Sequence, residues 1–261
     1  MLRAFSTAAT GMSAQQMMVD VTANNLANIN TNGFKRSQID FQDLLYIKMR
    51  EAGTEVSSGI KAPSGIEIGS GVRAGSTEKV FTNGELANTG KPLDIAISGE
   101  GFLQVTMPDG KIKYTRDGAL QTNSNGQLVT TTGYQIEPAI TLPQDSTNVT
   151  IGPDGGVNVT TPSGTSTIGT IQLVRFINPA GLSSDGDNLL SETEASGTPI
   201  TGTAGVDGFG NIQSTFLEKS NVQMVTELVN LITAQRAYEV NSRTIKAGDD
   251  MLRNSIQIAG V

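Results

Sequence analysis

SNVQMVTELVNLITAQRAYEVNSRTIKAGDDMLRNSIQIAGV, residues 220–261, decides the fold. Counting back from its end in sevens gives Ala259, Leu252, Ile245, Tyr238, Leu231 and Met224, an unbroken apolar row. Between them, at the four-three step, stand Ile256, Asp249, Ser242, Gln235 and Leu228. A 3.5-residue spacing kept over about five heptads predicts a coiled-coil seam. Ser220 followed three residues later by Gln223 predicts a capping box at its start, and at ~1.5 Å per residue the helix would run about 60 Å. Gln235, Ser242 and Asp249 leave one side of the seam polar, too weak to hold a lone helical hairpin firmly, which suggests a helix that waits for neighbours.

The other end mirrors it. Phe5, Met12, Val19 and Leu26 recur in sevens, with Leu2, Ala9, Gln16 and Ala23 between them. This predicts a second amphipathic helix of about 25 residues. It stops at Asn28-Ile29-Asn30-Thr31-Asn32-Gly33, residue types that tolerate left-handed backbone and end helices. Heptad helices thus flank a different middle. The alternative is an α+β domain whose terminal helices pack on its own sheet.

Between the helices the pattern changes twice. Phe34 to Ile47 is partly apolar without a clear period, and Met49 to Gly75 is poor in large side chains and rich in Gly and Ser. Pro63, Gly65, Ile66, Ile68, Gly69, Gly71 and Val72 lie in it, and Ile66/Ile68 alternate as in a strand, so an extended ribbon is expected. From about Val80 the period is two. Leu93, Ile95 and Ile97 alternate, Pro108-Asp109-Gly110 and Asn125-Gly126 are hairpin turns, and Pro153-Asp154-Gly155-Gly156 separates Val149/Ile151 from Val157/Val159. Ile168 to Ile177 is the most apolar strand, and residues 178–210 read as loop. The fold expected is α+β: terminal heptad helices forming a coiled-coil pair, with an inserted all-β domain and an extended ribbon between them. The boundaries are 1–33 with 220–261 for the helical assembly domain, 34–79 with 200–219 for an extended connecting domain, and 80–199 for an outer β domain.

Composition narrows the chemistry. The 261 residues contain no Cys and no His, which removes thiolate and imidazole ligands, the Ser–His and Cys–His nucleophile pairs and the usual general base. A formal net charge of −7, with no basic run longer than Lys35-Arg36, argues against a nucleic-acid partner. The N-terminus has no continuous apolar core of a cleaved signal peptide, and no segment approaches the ~18 apolar residues of a membrane span. Asn123-x-Asn125-Gly126 and Asp185-Gly186-Asp187-Asn188 lack the oxygen-ligand alternation of a calcium loop and read as turns. Gly205-Val206-Asp207-Gly208-Phe209-Gly210 does not stand between an apolar strand and a helix, so it is no phosphate loop. Glu100 and Asp117 are surface carboxylates by default. No catalytic, cofactor or metal residue is nominated. The i,i+4 pairs Glu239/Arg243 and Asp249/Arg253 mark a solvated or inter-subunit helix face.

The stretch Ala23-Asn24-Asn25-Leu26-Ala27-Asn28-Ile29-Asn30-Thr31-Asn32-Gly33-Phe34-Lys35-Arg36 resembles the N-terminal signature of the bacterial flagellar rod and hook proteins. Asn24, Asn25, Leu26, Asn28, Thr31, Gly33 and Phe34 carry that match. Leu93 to Val105 with Gly99-Glu100-Gly101-Phe102, then Tyr114-Thr115-Arg116-Asp117-Gly118 and Asn125 to Val129, look like further motifs of the family. Gln235-Arg236-Ala237-Tyr238-Glu239 with Asn241-Ser242-Arg243 and Asp250-Met251-Leu252 resembles its C-terminal one. Length and the segment Leu45 to Arg73 are similar to the distal-rod branch.

The resemblance implies a structural subunit without enzymatic activity, exported unfolded through the flagellar type III apparatus without a cleaved signal. Its terminal helices, disordered in the monomer, would pair on assembly as the inner wall of a stiff hollow helical homopolymer crossing the periplasm. The β domain would form the outer wall, and the ribbon would brace adjacent subunits of this drive shaft. Partners implied are other copies of itself, the hook and proximal rod proteins, the P-ring and L-ring proteins, the rod cap and the export apparatus. The assembly interface expected is Phe5, Met12, Val19 and Leu26 with Met224, Leu228, Leu231, Tyr238, Ile245, Leu252 and Ile256. Rival readings are another axial member, proximal rod or hook, and a secreted β-rich binding or carbohydrate-active module with ordered helical ends.

Overall fold

The computed structural model describes residues 2–57, 60–61, 63–162 and 164–259. The chain divides into two compact units. One comprises 1–26, 37–78 and 224–261, the other 27–36 and 79–223.

The first unit contains the helices α1 (Leu2–Ala27) and α2 (Met224–Ala259). They touch along their length in antiparallel order. Asn25 meets Glu227, Gly11 faces Asn241, and Gly248 lies against the Phe5 ring. The face of α2 that is covered carries Glu227, Leu231, Ala234, Asn241, Ile245, Gly248 and Leu252. Leu231, Ile245 and Leu252 belong to the expected heptad row. Of the second row only Ser242 is half-covered: Leu228, Gln235, Asp249 and Ile256 are exposed, and Glu227, Ala234, Asn241 and Gly248 lie on the covered face instead. This stripe mixes small and polar residues, which a search for large apolar side chains misses. The start of α2 is also later than expected. Just ahead of it Ser220 accepts the Val222 amide at 3.4 Å, and Asn221 accepts the Arg36 amide (2.8 Å) and donates to the carbonyls of Val80 (2.7 Å) and Thr82 (3.2 Å). The helix begins only at Met224.

The ribbon of the same unit is a series of nested antiparallel pairs. Its strands are β1 (Ser37–Asp43), β2 (Ile47–Arg50), β3 (Glu55–Ser57), β4 (Ile60–Lys61), β5 (Ile66–Ile68) and β6 (Val72–Lys79). β1 pairs with β6, β2 with β5 and β3 with β4, so the chain runs out and back as one long two-stranded arm. Residues 58, 59 and 62 lie outside the described residues. β1 sits where no clear period was expected, yet its exposure alternates, with Ile39 and Phe41 on the more covered side. Gly71, at φ 117°, passes over Thr7 and Thr10 of α1, and its lack of a side chain permits that crossing.

The second unit holds the remaining strands: β7 (Leu86–Asn88), β8 (Ile95–Ser98), β9 (Phe102–Thr106), β10 (Ile112–Thr115), β11 (Leu120–Thr122), β12 (Leu128–Thr130), β13 (Gln135–Glu137), β14 (Asn148–Ile151), β15 (Gly156–Thr161), β16 (Gly164–Thr170), β17 (Gln172–Arg175), β18 (Ser183–Gly186), β19 (Leu189–Ser191), β20 (Ile200–Thr203), β21 (Asn211–Ser214) and β22 (Phe216–Glu218). Among the described residues, β9 lies at the heart of a nine-stranded sheet ordered β11-β12-β13-β9-β10-β19-β18, with β17 joining β9 to β20. β14-β15-β16 form a separate sheet, β21 pairs with β8, and β22 with β7. Period-two alternation sends side chains of one strand to two cores. Leu103, Val105 and Leu173 enter a large aliphatic core with Ile97, Val157 and Ile171, whereas Phe102 and Val174 enter a smaller one with Tyr114 and Phe176. In the smaller core Tyr114 and Phe176 meet edge to face at 4.8 Å.

The turns at 108–110, 123–126 and 153–156 join β9–β10, β11–β12 and β14–β15, as their residues predict. The Asn123 side-chain oxygen accepts the amides of Asn125 and Gln127, both at 2.9 Å, so this loop is a turn. Residues 178–210 depart from the loop reading. Asp187 and Asn188, at φ 51° and 59°, make the tight turn of a β18–β19 hairpin, and β19 adds to β10. Leu103 is fully buried, so Leu103→Ala is expected to cost about 2–5 kcal/mol in urea unfolding of the full chain. Ile177→Ala, at a side chain 81% exposed, should stay within about 0.5 kcal/mol.

Candidate assembly surface

The sector of α2 turned away from α1 is apolar over its first turns. Val225, Leu228, Val229 and Ile232 share it by their three- and four-residue spacing, and all are exposed, Val225 at 75%. Burying side chains of this size fully is worth about 1.5–3 kcal/mol each. Beyond Gln235 the same sector turns polar, with Arg236, Glu239, Arg243, Lys246 and Asp250. Met251, Ile256 and Ile258 are exposed near its end, the last at 80%. A contiguous apolar stripe of this kind marks an interaction surface.

The arm offers a second exposed set. Leu45, Tyr46, Ile47 and Met49 on the outgoing side, with Ile66 and Ile68 on the returning side, are exposed, Leu45 at 89%. Two strands alone have no second layer to bury them. Pro63 and Gly69 are exposed as well, whereas Gly65, Gly71 and Val72 are half-covered. Gly65 passes close to the Arg50 carbonyl, and Val72 donates its amide toward the Thr10 hydroxyl at 3.4 Å.

Of the other expected interface residues, Phe5, Met12, Val19 and Leu26 on α1 are half-buried, as are Leu231, Ile245 and Leu252 on α2. Met224 and Tyr238 are exposed. Val19 and Tyr238 border one 380 Å³ groove with Gln16, Gln235 and Glu239.

The N-terminal signature divides its labour. Asn24 is exposed and Asn25 is 2% exposed, its amide clamped both ways on the Ser37 backbone at 2.8 and 2.9 Å. Asn28 accepts the Thr31 hydroxyl at 3.1 Å, and Phe34 lies 5.3 Å from the Lys79 ammonium. Gly33 (φ 67°) donates its amide to the Glu218 carbonyl at 2.8 Å, and a side chain there would collide with the Arg116 backbone. Lys35, next in line but one, reaches the Glu218 carboxylate at 2.6 Å and the Thr82 carbonyl at 2.7 Å.

Glu218 is the residue that sequence reasoning missed. Its Oε2 takes the Arg116 Nε at 2.7 Å, and the Gly84 amide donates to Oε1, the oxygen that Lys35 holds, at 2.8 Å. Arg116 spends its remaining donors on the carbonyls of Ile97, Gly99 and Gly101 and on Asn83. The family-like motifs around Gly33, Gly99 and Arg116 therefore converge on one buried carboxylate. Burial pushes that carboxyl up, but the charges of Arg116 and Lys35 and their hydrogen bonds outweigh it and hold it below the usual range. Burial lowers the Lys35 ammonium despite the opposing pull of Glu218.

The remaining charged candidates have structural partners. Glu100 lies 3.9 Å from Arg175, Asp185 pairs with Lys113 at 3.0 Å, and Asp117 accepts the Ala119 amide. Among the described residues no acidic cluster could hold a metal, and no helix is long and apolar enough to cross a membrane.

Comparison with known families matches three stretches of the chain. A family described as "Flagella basal body rod protein" covers residues 5–35, "Flagellar hook protein FlgE/F/G D1 domain" covers 96–159, and "Flagellar basal body rod FlgEFG protein C-terminal" covers 213–258. Curated relatives match over almost their whole length. The flagellar basal-body rod protein FlgG of Buchnera aphidicola subsp. Schizaphis graminum is 48% identical over 251 residues, 95% of this chain and 96% of that protein. FlgG of Caulobacter vibrioides is 45% identical over 98% of this chain and 99% of its own. FlgG of Bacillus subtilis is 34% identical over 99% of both.

Removing the charge of Glu218 leaves two buried cations unpaired, so Glu218→Gln is expected to cost about 3–5 kcal/mol at pH 7. The folded carboxyl lies below its unfolded value of about 4.3, so its contribution is complete above that pH and fades as pH falls through the folded value. Asp117, raised by burial, works in the opposite sense and offsets part of the loss. Urea midpoints of the two proteins should therefore differ widely at pH 7 and converge in acid. A gap unchanged at pH 3 would contradict this.

Proposed function

We infer the working of the chain from its membership: it belongs to the family of flagellar basal-body rod proteins, and it is a structural subunit of the distal rod, not an enzyme. We propose that it polymerises with copies of itself into a stiff hollow tube that transmits torque to the hook. The observation that carries this is the apolar face of α2 at Val225, Leu228, Val229 and Ile232, which the chain leaves uncovered.

In this reading α1 and α2 pack as a coiled coil whose outward faces are buried by the helices of neighbouring subunits. The expected interface row from Phe5 to Leu26 and from Met224 to Ile256 serves both contacts: half-buried members hold the pair, exposed ones meet the neighbours. The ribbon at Pro63 to Val72 braces adjacent subunits, which would cover Leu45, Met49 and Ile66. The division into a helical part (1–33, 220–261), a connecting part (34–79, 200–219) and an outer β part (80–199) is proposed for that assembled state. Hook, proximal rod, rod cap and the P- and L-ring proteins would be its neighbours where the rod crosses the periplasm. Export would be through the flagellar type III apparatus without a cleaved signal, a route to which a chain free of disulfides is suited.

Val229→Asp and Ile232→Asp change exposed positions and are expected to leave urea unfolding within about 0.5 kcal/mol of the parent. Each should abolish sedimentable polymer and fail to restore swimming to a strain lacking the protein. Phe5→Asp and Leu231→Asp should do the same while the β unit stays folded. Normal polymer from the Val229 and Ile232 variants would rule out that face as the contact.

A further inference from the structure

The stripe along which α1 and α2 meet is rich in small side chains. Ala8 and Ala14 are buried on α1, Ala234 on α2, and Gly11 and Gly248 take part as well. Such a stripe gives little discrimination between one alignment and another shifted by a heptad. A polar pair breaks that degeneracy. Glu227 is 4% exposed, and its carboxylate lies 3.5 Å from the Asn25 amide nitrogen. Asn25 cannot swing away to follow it, because the same amide group accepts the Ser37 N–H and donates to the Ser37 carbonyl at the root of the arm.

We propose that Glu227, held against Asn25, is the register pin of the helix pair. It is a positioning residue that admits only the alignment setting Gly11 against Asn241 and Phe5 against Gly248. Sliding α2 by seven residues one way would place Glu227 against Met18, burying a carboxylate on a thioether side chain, and would set Asn25 level with Ser220, ahead of the helix start at Met224. Sliding it the other way carries Glu227 past the end of α1 at Ala27. The first shift strands a buried polar group and the second gives up its contact with Asn25, losses that small apolar contacts do not return. A single polar group in an apolar seam fixes register in coiled coils by the same exclusion. Since Asn25 is tied to Ser37, the pin also keys the helix alignment to the point where the arm begins. This inference rests on geometry within the helical unit and stands whether or not the chain polymerises.

Phe5 over Gly248 is a competing steric stop, and position 227 in the first turn of α2 also favours a negative charge through the helix dipole. Disulfide mapping separates these, and the chain has no cysteine of its own to interfere. Two full-length reporters are needed: Gly11→Cys with Asn241→Cys for the observed alignment, and Gly11→Cys with Ala234→Cys for the shifted one. With Glu227 intact only the first should form an intramolecular disulfide under mild oxidation. In a Glu227→Leu background the shifted disulfide should rise at least about tenfold, the factor equivalent to 1.4 kcal/mol of lost discrimination. Glu227→Gln, which keeps the hydrogen bond and drops the charge, should restore the single alignment. A shifted disulfide that stays absent in Glu227→Leu would assign register to Phe5 and Gly248 and overturn the proposal. Loss of both disulfides in that background would make Glu227 a strut and overturn it equally. So would a shifted disulfide, or no disulfide, with Glu227 intact.

Discussion

A carboxylate sealed away from water keeps its charge only if cations and amides surround it, and Glu218 has drawn its surroundings from the whole length of the β unit. Lys35 arrives from the segment that leads in, Arg116 from the end of β10, and Glu218 itself from the last strand before the chain leaves for α2. The Arg116 guanidinium extends the tie to three carbonyls of the β8–β9 connection. None of these partners is near another in sequence, so the cluster closes only when both ends of the unit are in place. Burying such a group contributes little net stability, but leaving it half-paired is costly. It therefore selects one arrangement of strands over others that the short, Thr- and Gly-rich segments could also satisfy.

The helical unit follows a different logic. Its covered faces mix small and polar side chains with half-buried Phe5, Leu231, Ile245 and Leu252, while Val225, Val229, Ile232 and Ile258 are left exposed. A protein whose stability had to come from its own helix pair would have the opposite arrangement. The arm repeats the pattern, with Leu45, Tyr46 and Met49 exposed on two strands that have nothing above them. A subunit of a rod has reason to hold back apolar surface in this way. Contacts that are worth little inside one chain leave the larger gain for the step in which chains meet.

Local features were legible in the sequence because their causes are local. Pro108-Asp109-Gly110 and Asn125-Gly126 make turns by their own backbone preferences, and the Asn-rich run after Leu26 ends α1 where it should. Heptad spacing located both helices but not the face they share. Ala234, Asn241 and Gly248 do not register as a seam when large side chains are sought, although they lie on the face that α1 covers. Asn221, just before α2, is held by Arg36, Val80 and Thr82, partners far away in the chain that its own neighbours do not reveal. Glu218 was invisible for the same reason: nothing near it in sequence says that it is buried. The β18–β19 hairpin could have been found, since Asp187-Asn188 is a pair that tolerates the left-handed turn joining it.

Hydrogen–deuterium exchange on the full chain, dilute and then polymerised, tests the central claim that neighbours cover the outer face of α2. The account predicts that amides of residues 224–240 and of the arm gain strong protection on polymerisation, while those of β9 and β17 exchange equally slowly in both states. Polymer in which residues 224–240 exchange as they do in the dilute chain, with new protection confined to the β unit, would contradict it.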